Sequence, residues 1–155
     1  MTVDPVVKTI RVSLAPKAAF DLFTRRTETW WPMDSHSVSA GIGTPAHSLA
    51  MTCELGGALI ETTADGTTHT WGTVLELADG ESFAMTWHPG RTDGAETHLH
   101  VAFQADGSGT LVTLTHSNWD NLGKEAQKTR DGYNGGWDGV LAAYLDVESA
   151  RQKAS

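Results

Sequence analysis

Basic residues are scarce. Lysine and arginine number 11 against 19 acidic residues, for a formal charge of −8. Apart from Arg25-Arg26 the bases are scattered, whereas phosphate recognition needs them clustered. Nucleic acid and anionic membrane are therefore not expected as partners. Cysteine is nearly absent. The single Cys53 allows no internal disulfide and fits a reducing cytoplasm. Thr52 and Glu54 beside it supply no cation to activate the thiol, so it reads as a small, half-buried strand residue. No stretch approaches the ~20 apolar residues of a membrane span, and no basic segment followed by an apolar run suggests a signal peptide. There is no GxSxG elbow, no phosphate-binding glycine loop and no dinucleotide fingerprint. No cofactor is expected, and catalysis has no obvious nucleophile.

What the chain does have is six tryptophans, seven histidines and sixteen glycines in 155 residues. That length suits one domain, residues 1–155 with a polar tail from about Ser149. Folding such a chain buries roughly 70% of its unfolded surface, enough for a core that encloses a cavity. Val3 to Leu14 alternates as a first strand, with Val6, Ile10, Val12 and Leu14 on one face. Pro16 then opens a short helix whose apolar side carries Phe20 and Phe23. A second short turn carries Trp30-Trp31 and stops at Pro32. Ser35 to Pro45 reads as a loop. Strands are expected at Ser48–Leu55, Ala58–Thr63, Thr70–Leu77, Ser82–His88, Thr97–Phe103 and Thr110–His116, with turns at Gly56-Gly57, Asp65-Gly66, Asp79-Gly80, Pro89-Gly90 and Asp106-Gly107. Short connections throughout indicate an antiparallel meander.

From about Leu122 the period changes to that of a helix. Tyr133, Trp137, Val140, Leu141 and Tyr144 form one stripe that ends near Val147. Gly132, Gly135, Gly136 and Gly139 lie inside it, each costing a helix about 1 kcal/mol against alanine. The helix either breaks near Gly135-Gly136 or is held together by a sheet that wraps it. The fold class is therefore α+β: a curled antiparallel sheet of about seven strands, two short helices after the first strand, and a long C-terminal helix in its trough.

Several short motifs occur together in the order of a known family. They are Trp30-Trp31-Pro32, Gly56-Gly57 with Glu61 beyond it, Asp65-Gly66, Trp71-Gly72, Thr86-Trp87, Gly107-Ser108-Gly109-Thr110, Leu114-Thr115-His116, Tyr133 and Gly136-Trp137. From Val6 to Leu145 the chain resembles bacterial members of the SRPBCC (START-like) superfamily. The branch is the one named after the C-terminal domain of the activator of the heat-shock protein 90 ATPase. The resemblance implies a helix-grip fold with an apolar cavity between sheet and helix. Members of the superfamily include lipid carriers, polyketide cyclases and aromatases, hormone receptors and chaperone regulators. The eukaryotic activator has a further N-terminal domain for which this chain has no room. The family often has arginine and an aromatic residue between the glycine pair and the glutamate; here those positions are Ala58 and Ile60.

Three functions follow. The first is binding of a small apolar or aromatic molecule. Trp31, Trp71, Phe83, Met85, Trp87, Leu99, Val101, Val112 and Leu114 would wall the pocket, and Tyr133, Trp137, Leu141 and Tyr144 on the helix would close it. Tryptophan suits this because it offers a flat apolar face with an N–H at one edge. Of the adjacent Trp30 and Trp31, only one is expected to point inward; Trp119 is placed to cap the mouth. The second function is a cyclase- or hydrolase-like enzyme using His116 and Glu61 as acid and base. His116 shares a face with Val112 and Leu114 and is otherwise a satisfied buried histidine. Glu61 is inward if Leu59 is inward, and solvated if Ile60 is; the alternation does not decide. The third is a chaperone-regulating or other protein-interaction module, with a homodimer left open. A metal site is not expected. His36, His69, His88 and His116 lie at strand ends or in the early loop without ligand spacing, and His98 and His100 read as solvent-facing.

Overall fold

The computed structural model describes residues 3–32, 46–89 and 95–154. Strand β1 (Val6–Val12) is followed by helix α1 (Pro16–Phe23) and a 3₁₀ turn at Thr27–Thr29. The meander then runs β2 (Ala46–Met51), β3 (Ala58–Thr63), β4 (Thr68–Ala78), β5 (Ser82–Trp87), β6 (Thr97–Asp106) and β7 (Gly109–Ser117). A second 3₁₀ turn at Trp119–Glu125 leads into helix α2 (Ala126–Ala154). The expected loop at Ser35 to Pro45, with His36, lies outside the described residues, as does Gly90 of the Pro89-Gly90 break.

The antiparallel meander is the one the alternation predicts, and the helix-grip architecture is the one the resemblance implies. The sheet has seven strands in the order β1-β7-β6-β5-β4-β3-β2, all neighbours antiparallel, curled as a half-barrel around α2. Because β2 to β7 pair in sequence order, only β1 needs a long connection, and it closes on β7 with Val6 opposite His116. The curl has a local cause. Register shifts occur at Ala46/Ser48, Leu59/Ile60 and Val74/Glu76, and such bulges bend a strand and increase its twist. Gly72 sits beside one of them with no space for a side chain: a Cβ there would lie 1.8 Å from the Thr86 carbonyl oxygen.

Two local expectations are corrected. The connection between β2 and β3 is not a two-glycine hairpin but a longer loop over residues 52–57, in which Thr52 N–H donates to Ala58 O and Gly57 N–H to Glu54 O. Cys53 is half-buried as expected, but in that loop rather than on a strand.

Helix α2 is continuous across all its glycines and spans residues 126–154, running through the segment expected to be a polar tail. Trp137, Val140, Leu141 and Tyr144 are buried against the sheet and α1, with Tyr133 partly buried. Sheet contact does not explain the glycines at 132 and 135, because a Cβ at either would meet nothing within 4 Å. What holds the helix is a series of attachments along its length. Arg130 Nε donates to Asp4 O at 3.1 Å. Tyr144 Oη donates to Ala19 O at 2.8 Å. Glu148, buried near the C-terminal end, accepts the Ser13 N–H at 2.6 Å. Burial, and secondarily the nearby Glu148 carboxylate, push the Tyr144 phenol above its ordinary value, so it remains a donor.

The two kinds of glycine give opposite predictions. Gly135→Ala, on an open helix face, should raise stability by about 1 kcal/mol. Gly72→Ala, against backbone, should lower it by about 1–3 kcal/mol. Urea denaturation of both variants checks the signs; equal effects of one sign would contradict this account of the packing.

Candidate functional site

Every phenylalanine, tyrosine and tryptophan of the chain belongs to one connected set of ring contacts in the trough. At one end Phe20, Phe23, Phe83 and Phe103 pack edge-on or tilted beneath α1. In the middle Trp31 touches Trp71 (5.1 Å between centroids), Trp87 (6.0 Å) and Trp137 (5.9 Å). Trp87 in turn meets Trp71 at 5.7 Å and Trp137 at 5.4 Å. At the far end Trp119 and Tyr133 enclose His116. The tilted and edge-to-face geometries are those aromatic quadrupoles prefer.

Both Trp30 and Trp31 are buried, which corrects the expectation that only one points inward. The turn at Thr27–Thr29 ends before them, and Trp30 has φ −131° and ψ −21°, so the two rings diverge without either leaving the trough. Trp30 packs on Phe23 and Tyr144 and donates its Nε1–H to Leu22 O at 2.9 Å. Trp31 faces the other indoles.

Among the described residues, a cavity of about 10 Å³ lies within this set, room for roughly one water molecule. Of the expected pocket residues, Trp31, Phe83, Met85, Trp87, Leu99 and Trp137 line it. Val101, Val112 and Leu114 are packed in the same core on β6 and β7, and Leu141 on α2; Trp71 stands behind Trp31 and Trp87. The sequence reading missed Phe23, Thr27, Met51 and Leu59 as cavity walls. The alternation of β3 carried the signal for Leu59; the position of Phe23 and Thr27 depends on how α1 docks.

His116 is a locked structural group. The Trp137 indole, which can only donate, gives its Nε1–H to His116 Nδ1 at 3.0 Å. Nδ1 is therefore unprotonated and Nε2 carries the hydrogen. Nε2 donates to Thr97 Oγ1 at 2.6 Å, and the Thr97 hydroxyl donates to Trp87 O at 3.0 Å. The Trp119 ring lies 4.0 Å from the imidazole centroid, and its Nε1–H donates to His116 O. Burial, with a smaller contribution from His98, lowers the His116 pKa from 6.5 to about 3. Both ring nitrogens are committed, which leaves none for a substrate.

Glu61 is inward, with Leu59 and Thr63, and fully buried. Trp71 Nε1–H donates to its Oε1 at 3.1 Å. It thus shares the concave face with His116, but neither side chain lines the cavity. His69 is the cross-strand partner of Glu61. His98 and His100 alternate with buried Leu99 and Val101 and are half-buried on the outer face. Among the described residues no group of three or more histidine, cysteine or acidic side chains converges to hold a metal, and no helix is long and apolar enough to cross a membrane.

The locked histidine fixes a pH dependence. Its folded pKa is below its unfolded value, so between these values the unfolded chain binds the extra proton. Stability is complete above about pH 6.5 and falls as pH drops toward 3, with a slope approaching about 1.4 kcal/mol per pH unit. Denaturation at pH 4.5, 5.5 and 6.5 should show this slope in the native chain and lose most of it in His116→Asn. An unchanged slope in the variant would contradict the assignment.

The fold matches solved structures over nearly their whole lengths. The anthrahydroquino-γ-pyrone synthase Txn09 is 29% identical, with 94% of this chain and 97% of that one covered and a TM-score of 0.64. CalC of Micromonospora echinospora, a self-sacrificing resistance protein, is 24% identical over 96% of each chain, with a TM-score of 0.71. The Aha1 dimer of Colwellia psychrerythraea is 15% identical, covering 94% and 96%, with a TM-score of 0.67. No curated protein sequence matches the chain. The family model of the Activator of Hsp90 ATPase homolog 1-like proteins matches residues 13–146, and the chain belongs to that family.

Proposed function

We propose that the chain, as one helix-grip domain, binds a flat aromatic small molecule in the trough between sheet and α2. One observation carries this reading: four indoles, Trp31, Trp71, Trp87 and Trp137, form one connected cluster, and three of them, Trp31, Trp87 and Trp137, line an apolar cavity. A core needs large apolar side chains, but it does not need four of the largest in one connected cluster. Such a cluster offers stacking faces to a ring system, and Met51 and Met85 beside it can re-pack around a guest. The likeness to Txn09, whose name denotes a fused aromatic pyrone product, points to the same ligand class.

Acid–base catalysis by His116 and Glu61 is the weaker reading. A general base needs a free lone pair within reach of the substrate, and His116 has given both nitrogens to Trp137 and Thr97. An interaction module is weaker too. The large exposed apolar side chains among the described residues, Val7, Leu55 and Leu75, lie on β1, on the loop after β2 and on β4, so sequence places them on three separate segments rather than along one.

Tryptophan fluorescence checks the reading. Titration with 1,8-dihydroxyanthraquinone should give saturable quenching at one molecule per chain. Trp87→Leu should weaken it by about tenfold, ~1.4 kcal/mol of lost stacking. A folded native chain showing only linear, unsaturable quenching would contradict it.

A further inference from the structure

The trough has a dry end and a polar end. At the dry end, three polar side chains of the cavity wall have committed their donors. Thr27 Oγ1 lies 2.8 Å from Phe23 O and 2.6 Å from Thr24 O. The ring N–H of Trp87 reaches Tyr133 Oη at 3.3 Å, and that of Trp137 is bonded to His116. A ligand hydroxyl seated among these donors would find none of them to replace the water it lost. The other end is built by β3 and β4. Glu61 and His69 are directly paired across the two strands, so both side chains lie on one face, with Cβ atoms about 5 Å apart. That face is the concave one, because Glu61 is buried there with Leu59 and Thr63. Trp71, two residues from His69 on β4, joins the pair to the cavity. Its N–H is bonded to Glu61 Oε1 at 3.1 Å, and its ring packs on Trp31 and Trp87, which line the cavity.

Among the described residues, His69 Nε2 is the buried side-chain polar atom with no hydrogen-bond partner. Such an orphan is rare and costly, and it calls for an explanation. The residue as a whole is only half-buried, so the atom sits near the rim of the trough and not deep in the core. We infer that His69, with Glu61 beside it, is the polar end of the ligand site, and that it takes a hydroxyl carried on an outer ring of the aromatic ligand. A hydroxyl suits the place in either imidazole tautomer, since it accepts from Nε2–H or donates to an unprotonated Nε2. When it accepts from Nε2–H, its own hydrogen remains to point toward the Glu61 carboxyl group. A ketone or ether oxygen only accepts, and would set its lone pairs against those of Glu61. Leu59 lines the cavity and Glu61 follows two residues on, about 7 Å along the strand, a span that fused rings cover. The ligand then lies with an unsubstituted edge among the indoles and a hydroxylated edge at His69. The inference rests on the reading of the trough as a ligand site, and adds the group recognised and the orientation.

The test compares 2-hydroxyanthraquinone with 2-methoxyanthraquinone by tryptophan quenching of the full chain. The native chain should bind the hydroxy probe about tenfold more tightly. His69→Leu should bring that ratio close to one. A second substitution, His69→Gln, assigns the ¹⁵N signal of His69 Nε2. In the native chain that signal should move with the hydroxy probe and not with the methoxy probe, and it decides the matter if His69→Leu does not fold. Equal binding of the two probes to the native chain, the result expected if water alone meets Nε2, overturns the inference and leaves the ligand site standing. A preference that survives His69→Leu does the same. Binding of neither probe overturns both.

Discussion

The bond from Trp137 Nε1–H to His116 Nδ1 is the contact on which the trough depends. It joins the middle of α2 to the end of β7. It also fixes the imidazole in one neutral tautomer, whose remaining hydrogen runs through Thr97 to the carbonyl of Trp87 on β5. Three strands and the helix are thus tied by a chain of bonds in which each donor and acceptor has one assignment. A fully satisfied buried network of this kind specifies geometry as well as adding stability. Four indoles can then converge without collapsing into alternative packings, because two of them, Trp87 and Trp137, are held in place by backbone and ring N–H together.

Around that fixed center the structure divides into a rigid half and a held half. The sheet supplies rigidity, its curl set by bulges in β2 and β4 and by the close approach of Gly72 to Thr86. The helix is held from outside by Arg130, Tyr144 and Glu148, which offsets the helix-weakening glycines along its exposed side. Trp31 is the one indole of the cluster carried by irregular backbone.

Much of this was legible in the sequence. Period-two alternation located the strands, and the stripe from Tyr133 to Tyr144 located the face of α2. The side of Glu61 was not legible, because Leu59 and Ile60 are both apolar and either could be the inward residue; the register with Leu49 and His69 decides it. Nor was the role of His116. Its partners lie 19 and 21 residues away, and no local pattern announces an indole donor on another element. The inward turn of both Trp30 and Trp31 depends on the breadth of the trough, a property of the assembled sheet and not of the dipeptide. The helical glycines misled in a different way: they suggested close packing, whereas Gly132 and Gly135 face open space.

The most direct measurement of the central claim is the ¹⁵N NMR of the His116 side chain. The account predicts a neutral ring with the hydrogen on Nε2 and a hydrogen-bonded, unprotonated Nδ1, retained well below the ordinary imidazole pKa of 6.5. A hydrogen on Nδ1, or a titration close to that ordinary value, would contradict it.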